Sequence, residues 1–497
     1  MEYVSTRDKS LRVNAAKAIA TGIAPDGGLY CPTAFPQLSG DDWKALLGMD
    51  YKARAAFVLG KYLTDFTPEE LKDFADKAYA DEKFGGADTA PVVKLRDGKY
   101  MLELWHGPTC AFKDMALQML PHLLTASLRK TGETRTACIL VATSGDTGKA
   151  ALDGFADVPG TKIMVYYPVD GVSTIQRLQM VTQEGGNVAV CAIRGNFDDA
   201  QSAVKRIFTD KATLDKLDRQ GMTLSSANSI NWGRLAPQIA YYVSAYCDMV
   251  SRGEIKMGDK INVCVPTGNF GNILAAYFAK QMGMPVGKFI CASNRNNVLT
   301  DFFKKGGTYD RNRDFFTTAS PSMDILISSN LERLLFYVSG QNDKAVAEMM
   351  AALSAGGKYT LPRELFAAVE TDFDAGCADD SQTAETIRRL FEEENYLSDT
   401  HTAVAVRVYE DYRAATGDKT PTVIASTASP FKFCQSVIEA LGGTVTTDGV
   451  ELLDQLSGMT GVPAPSPLAA LSGKTPRFDM VVDKDDILGT TDLLRDL

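Results

Sequence analysis

Between residues 137 and 294 the chain alternates short, β-branched runs with amphipathic helical stretches, a pattern that restricts it to parallel βαβ construction. ACILVAT (137–143) reads as a buried strand followed by the helix GKAALDGFAD; KIMVYYP (162–168) is followed by STIQRLQMVTQ, and NVAVCAIRG by NFDDAQSAVKRIF. A helical stretch around APQIAYYVSAYCDMV leads to the strand INVCVPTG (261–268), the helix GNILAAYFAKQMG and the strand KFICASN. TVIAST (422–427) resumes the pattern, FCQSVIEALGG is its helix, and the tail SGKTPRFDMVVDKDD holds a strand-like piece. The expected class is α/β, with one open sheet or two.

The flanks lack this alternation. Residues 1–95 carry helical patterns broken by turn signals such as APDGGLYCP, and are expected to form an N-terminal cap domain. Residues 301–400, including DILISSNLERLLFYV and AVAEMMAALSAGG, read as a mostly helical insertion without obvious strands. That leaves 96–300 with 401–497 as the α/β core, including a smaller α/β subdomain at about 130–225. The acidic run Glu392-Glu393-Glu394 reads as a solvated helix face.

Composition excludes several classes of function. A chain of 497 residues, 45% hydrophobic, can bury a large core in two to four domains or subdomains. A net charge of -10 without a long Lys/Arg run argues against binding nucleic acid or an anionic membrane through broad electrostatics. The N-terminus has no apolar leader core and no apolar run reaches about 18 residues, so the cytoplasm is the expected setting. Nine cysteines without a C-x-x-C pair are expected to be reduced and buried. Three histidines, without a Cys/His cluster, leave little material for a metal centre or a Ser-His-Asp triad.

Ligands of open α/β sheets collect where strands hand over to helices, and three such junctions are unusual. ATSGDTGKAA (142–151) resembles a phosphate-binding P-loop, but Thr143 and Ala150 stand where that motif needs Gly and Ser/Thr. What remains is a hydroxyl-rich turn, Ser144 to Thr147, able either to hold an anion or simply to cap the helix through Ser144 or Asp146. PTGNFGNILAAY (266–277) places Gly268 and Gly271 around Asn269 and Phe270 before an apolar helix; it suits a phosphate, or is a structural turn. In IASTASPFKF (424–433), Ser426 and Thr427 end a strand, where a hydroxyl can meet a ring nitrogen or merely shape a turn.

Lys113, in HGPTCAFKD, is by itself a snorkelling side chain or a partly desolvated amine. The second alternative would make it a Schiff-base nucleophile for a carbonyl cofactor, chiefly pyridoxal phosphate. Such a cofactor needs a phosphate cradle, a ring-nitrogen partner and a carboxylate site, and the three junctions together offer all of them.

In order, STRD, APDGGLY, LELWHGPTCAFKD, ATSGDTG, SINWGR (229–234), PTGNFGN, SPSMDILISSNLER (320–333) and STASPFKF resemble threonine synthases of the longer bacterial and fungal branch. These are pyridoxal-phosphate enzymes of the fold shared with tryptophan synthase β and the serine/threonine dehydratases. The resemblance implies two open, mostly parallel sheets flanked by helices, and conversion of O-phospho-L-homoserine and water to L-threonine and phosphate. It implies that Lys113 bonds the cofactor and shuttles protons, that Gly268, Asn269, Phe270, Gly271 and Asn272 hold its phosphate, and that Thr427 faces the pyridine nitrogen. Asp146 would line the cofactor's hydroxyl side, Ser144 and Thr147 the substrate carboxylate, and Asn231 and Arg234 the substrate phosphate.

Two positions depart from the pattern. Asp146 stands where relatives of this fold commonly have Asn, and Ser429-Pro430-Phe431-Lys432 replaces the usual His-Pro-Ala-Lys. Asp114 is open between helix capping and electrostatic support for Lys113. The main rival activity is a phospho-lyase that hydrolyses the unsaturated intermediate to 2-oxobutyrate and ammonia. The residues leave monomer and homodimer equally open.

Overall fold

Lys99–Glu103, Thr422–Ser426, Ile261–Pro266, Val286–Ser293 and Phe373–Cys377 run parallel in one six-stranded sheet, to which Val92–Lys94 adds an antiparallel edge in the computed structural model of the protein. The model describes residues 1–86, 88–169 and 171–497. A second sheet is parallel throughout, in the order Val481–Asp483, Val188–Arg194, Thr161–Pro168, Thr136–Ala142, Met222–Ser225. Its inner strands, such as TACILVA and TKIMVYYP, are apolar along nearly their whole length because helices cover both faces. The expected pair of open, parallel sheets is therefore present.

The N-terminal segment forms a three-stranded antiparallel sheet and a set of capped helices. Pro68–Ala78 illustrates the local logic: Thr67 and Glu70 form a capping box, Pro68 occupies the first turn, and Leu71, Phe74, Ala75 and Ala78 face inward. Trp232–Ser251 is the central helix, buried on nearly every side, and the N-terminal helices Gly40–Leu47 and Tyr51–Tyr62 pack against it. Among the described residues no helix is long and apolar enough to cross a membrane.

Several expectations need correction. Residues 301–400 are not free of strands: Thr308–Asp310 pairs with Lys358–Thr360, and Phe373–Cys377 joins the edge of the large sheet beside Val286–Ser293. FDAGC was unreadable as a strand because it is short and carries Asp374 and Gly376, yet its neighbours supply the ladder. DILISSN is irregular up to Asn330, with the helix limited to Leu331–Val338. Within the acidic run only Glu392 and Glu393 are exposed; Glu394 turns inward to pair with the buried Lys99 at 2.6 Å. Eight cysteines are buried, but Cys377 is exposed.

Candidate active site

Four loops at the carboxyl ends of parallel strands meet between the two sheets. Lys113 follows Lys99–Glu103, Thr427 follows Thr422–Ser426, the Gly268–Asn272 loop follows Ile261–Pro266, and Ser144–Thr147 follows Thr136–Ala142. The first two are zipped together. The Phe112 amide donates to the Thr427 carbonyl at 2.8 Å, Ala111 bridges Ala428, and the Ser429 amide donates to the Cys110 carbonyl at 3.0 Å. Lys113 is thereby fixed beside Thr427.

The Lys113 ammonium lies 4.2 Å from the centre of the Phe112 ring and donates to no other described residue. The side chain keeps some contact with solvent, but protein crowds around its head. Burial, and then the positive charge of Arg234, lower its pKa to about 8, against a smaller opposing pull from Asp146. The reactive-amine alternative therefore has the electrostatics it requires.

Arg234 lies in the first turn of Trp232–Ser251 and is 3% exposed. One end donates to the Ala227 carbonyl at 2.7 Å, its Nε has no partner among the described residues, and burial pushes its pKa down to about 10. A buried guanidinium without a carboxylate is costly unless an anion completes it. The Oδ1 of Asn231 caps the helix by accepting from Gly233, one N–H of its Nδ2 donates to the Ile19 carbonyl at 3.0 Å, and it is 2% exposed, so it ties the start of the central helix to the N-terminal cap.

The glycine loop is shaped for an anion. Phe270 adopts a left-handed φ of 64°, its ring anchored against Phe303 and Phe373, so it offers the site its backbone rather than its side chain. Gly271–Gln281 begins directly after it, and no amide from Gly268 to Ile273 donates to a described acceptor. Tyr241 and Tyr242 hold the Asn272 carbonyl oxygen at 2.9 and 2.5 Å, leaving Nδ2 as a buried donor without a partner. Asn269 is exposed at the mouth. A Cβ on Gly268 would lie 2.8 Å from the Ser322 carbonyl oxygen, so only glycine allows this approach.

The segment 320–333 props the glycine loop from below. Ser328 Oγ donates to the Gly268 carbonyl at 2.6 Å and the Asn330 amide to the Asn269 carbonyl at 3.1 Å. Arg333, wholly buried, donates to Asn330 and to the carbonyls of Ile230 and Tyr30, joining the loop to the start of the central helix and to the cap. Glu332 receives Arg7 at 2.9 and 2.8 Å and the hydroxyl of Thr6, which explains the STRD motif as a latch. The quoted motifs pointed to these residues; their partners could not be inferred.

At the hydroxyl-rich turn neither Ser144 nor Asp146 caps the helix. Thr143 Oγ1 accepts from the Gly145 and Gly148 amides at 2.9 and 2.8 Å, while the partly exposed Ser144 and Thr147 hydroxyls bind no described residue. Asp146 is buried, accepts from Gln176 at 2.9 Å, and pairs with Lys432 at 3.1 Å. Burial alone would raise its carboxyl; Lys432, Gln176 and Lys113 outweigh burial and hold it below the ordinary carboxylate range. Asp146, the first departure noted in the sequence, is thus in contact with the lysine that closes the second motif.

At the Thr427 end, Ser426 Oγ is absorbed by Trp105 at 3.0 Å and Tyr396 at 3.1 Å, whereas the Thr427 hydroxyl, 5% exposed, binds no described residue. His401 was missed as a site residue: its Nδ1 meets Asp399 at 2.9 Å and its Nε2 accepts from the Ser322 amide at 3.2 Å, pinning the segment that underlies Gly268. That contact fixes the Nδ1–H tautomer.

A lysine of lowered basicity, a neutral hydroxyl and a glycine-lined helix start with unpaired donors fit pyridoxal phosphate by the chemistry of the donors. The comparisons agree. Residues 2–79 match the family "Threonine synthase N terminus", 100–427 match "Pyridoxal-phosphate dependent enzyme", and 402–485 match "Threonine synthase, C-terminal". The human protein threonine synthase-like 1 is 40% identical over 457 residues, covering 88% of this chain but 60% of that protein, so this chain spans less than two thirds of that relative. Threonine synthase of Pseudomonas aeruginosa is 38% identical over 441 residues, with 88% of this chain and 90% of the relative covered. The structure of pyridoxal-phosphate-bound threonine synthase from Brucella melitensis superposes with a TM-score of 0.88 at 35% identity, over 100% of this chain and 99% of that one. With this site, this architecture and these likenesses, the chain belongs to the threonine synthase family of pyridoxal-phosphate-dependent enzymes.

Proposed function

We propose that the protein converts O-phospho-L-homoserine and water to L-threonine and phosphate. The observation that carries this reading is Arg234, a buried guanidinium with an unpaired Nε that acts electrostatically on Lys113. An anionic group beside the reactive amine is what a phosphorylated amino acid brings, and the fork of an arginine holds phosphate oxygens at two points.

When bound, pyridoxal phosphate supplies an electron sink that acidifies carbon next to the substrate nitrogen. Lys113 would hold the cofactor covalently through its Nζ, and the same Nζ, when free, would take the substrate's Cα proton and later return it. Its lowered pKa of about 8 keeps a working share of free amine near neutral pH. The amides and Asn272 Nδ2 at the start of Gly271–Gln281 hold the cofactor phosphate, and the neutral Thr427 hydroxyl meets the ring nitrogen without fixing a charge. Ser144 and Thr147 orient the substrate carboxylate. Arg234 binds the substrate phosphate and stabilises the charge that grows as it departs from Cγ with the C–O electron pair. Cβ gives up a proton as the phosphate leaves, Cγ takes one, and water adds as hydroxyl at Cβ, so that the protons from Cβ and from water balance those taken up by Cγ and by the departing phosphate.

Residues 1–95 serve as the cap, 301–400 as a brace for the glycine loop, and the remaining segments as the cofactor-binding core. A cytoplasmic setting suits nine unpaired cysteines. The test is product analysis with O-phospho-L-homoserine: equal yields of threonine and phosphate are expected, while 2-oxobutyrate and ammonia without threonine would replace this reading by the phospho-lyase.

A further inference from the structure

Lys432 is fully buried; its ammonium donates to the Thr109 carbonyl and to Gln179 Oε1, each at 2.7 Å, and forms an ion pair with Asp146 Oδ1 at 3.1 Å. These partners come from three places. Lys432 follows the large-sheet strand Thr422–Ser426, Thr109 lies in the loop that carries Lys113, and Asp146 and Gln179 belong to helices of the smaller sheet. On the Asp146 side, Gln176 donates to the same Oδ1 at 2.9 Å, and Ser322 Oγ approaches Oδ2 at 3.4 Å. Gln176 and Ser322 are neutral, so Lys432 is the cation in contact with this carboxylate.

We infer that Lys432 is a positioning residue of the cofactor site, holding Asp146 ionised and in place beside Lys113. The inference rests on Lys113 being the cofactor lysine. An acid beside the cofactor's hydroxyl side needs a fixed buried cation, and Lys432 provides one. The other titratable groups around the pair are Lys113 and the neutral imidazole of His401, which face Asp146, and Asp114, which faces Lys432 together with the thiol of Cys110. Asp399 and Asp324 lie on the far side of His401. A charge so enclosed is governed by its direct partner, because water does not reach it to screen.

The experiment compares the holoenzyme with Lys432→Met, Asp146→Asn, the double variant and Lys113→Ala. It reads the visible absorbance against pH, the dissociation constant for pyridoxal phosphate and the thermal midpoint. Lys432→Met is expected to move the pH midpoint of the absorbance band by about one unit or more and to weaken pyridoxal phosphate by about tenfold or more. In the Asp146→Asn background the same substitution is expected to change either quantity by less than about twofold, since the charge it served is gone. An unshifted band in Lys432→Met, or effects that multiply fully in the double variant, would overturn the inference. If Lys432→Met does not fold, recovery of folded protein in the double variant supports it, and failure of both overturns it. Lys113→Ala separates the premise: persistence of a normal lysine-bonded band there refutes the site assignment, whatever Lys432 does.

Discussion

The Thr109 hydroxyl donates to one Asp114 oxygen at 2.6 Å and the Thr109 amide to the other at 2.9 Å. The acid that follows Lys113 is therefore folded back into its own loop, where it staples the backbone around Gly107 and gives the lysine no direct partner. Burial dominates those two bonds and raises the Asp114 carboxyl to about 7.

A pH dependence of stability follows from that staple. Because the folded protein holds this proton more tightly than the unfolded chain, the group's contribution is greatest below the ordinary carboxylate pKa and declines as pH rises towards about 7. The decline is on the order of 4 kcal/mol at most. Asp114→Asn, neutral throughout, flattens it. Thermal melts near pH 5 and near pH 8 should show the variant gaining on the wild type at the higher pH, and parallel profiles would refute this.

Amine labelling of Lys113 against pH, followed by mass spectrometry in cofactor-free protein, is expected to give a midpoint of about 8. Arg234→Met should raise that midpoint by removing a neighbouring positive charge, and should weaken inorganic phosphate about 10- to 100-fold through loss of charge-assisted bonds. A midpoint that stays put would show that Arg234 does not face the amine.

Gly145 has a φ of 129° and packs so closely that a Cβ would sit 2.5 Å from Gln176 Cδ. Gly145→Ala is expected to push Gln176 off Asp146 and to cost about 1–3 kcal/mol. Thermal melts and a spectral titration with pyridoxal phosphate would register both effects; an unchanged melt would contradict the packing.

Glu332 is nearly buried and receives Thr6 and Arg7, so Glu332→Gln leaves the arginine without its anion. A loss of about 2–4 kcal/mol is expected, with earlier proteolytic cleavage within the first 30 residues. Equal cleavage rates would show that the latch does not hold the cap.

Much of the fold was legible because parallel strands such as TACILVA and INVCVP are buried on both faces and read as unbroken apolar runs. Phe373–Cys377 was not, since a polar edge strand takes its ladder from neighbours rather than from its own composition. At the site, Lys113 and the glycine loop were candidates from residue type and local context once the three junctions were taken together, whereas Arg234 came only from the resemblance. The helix cap made by Asn231 was not legible because a cap and an anion ligand call for the same amide side chain. The contact between Asp146 and Lys432 was invisible for a different reason: the two lie on different sheets far apart in the chain, and no periodicity links them. Thr143, the true cap, was passed over for its neighbours because a hydroxyl's direction is set by backbone geometry that sequence does not display.

In the large sheet, Thr422–Ser426 lies between Ile261–Pro266 and Lys99–Glu103. The central seam is therefore closed by a strand made late in synthesis, and until it arrives the emerging chain carries two apolar, unpaired parallel edges. Those edges are what a chaperone or a neighbouring nascent chain would meet. Premature termination before residue 422 would leave a sticky, incomplete sheet rather than a smaller working protein, and even a full-length chain pays for its most protected seam with a long exposure during birth.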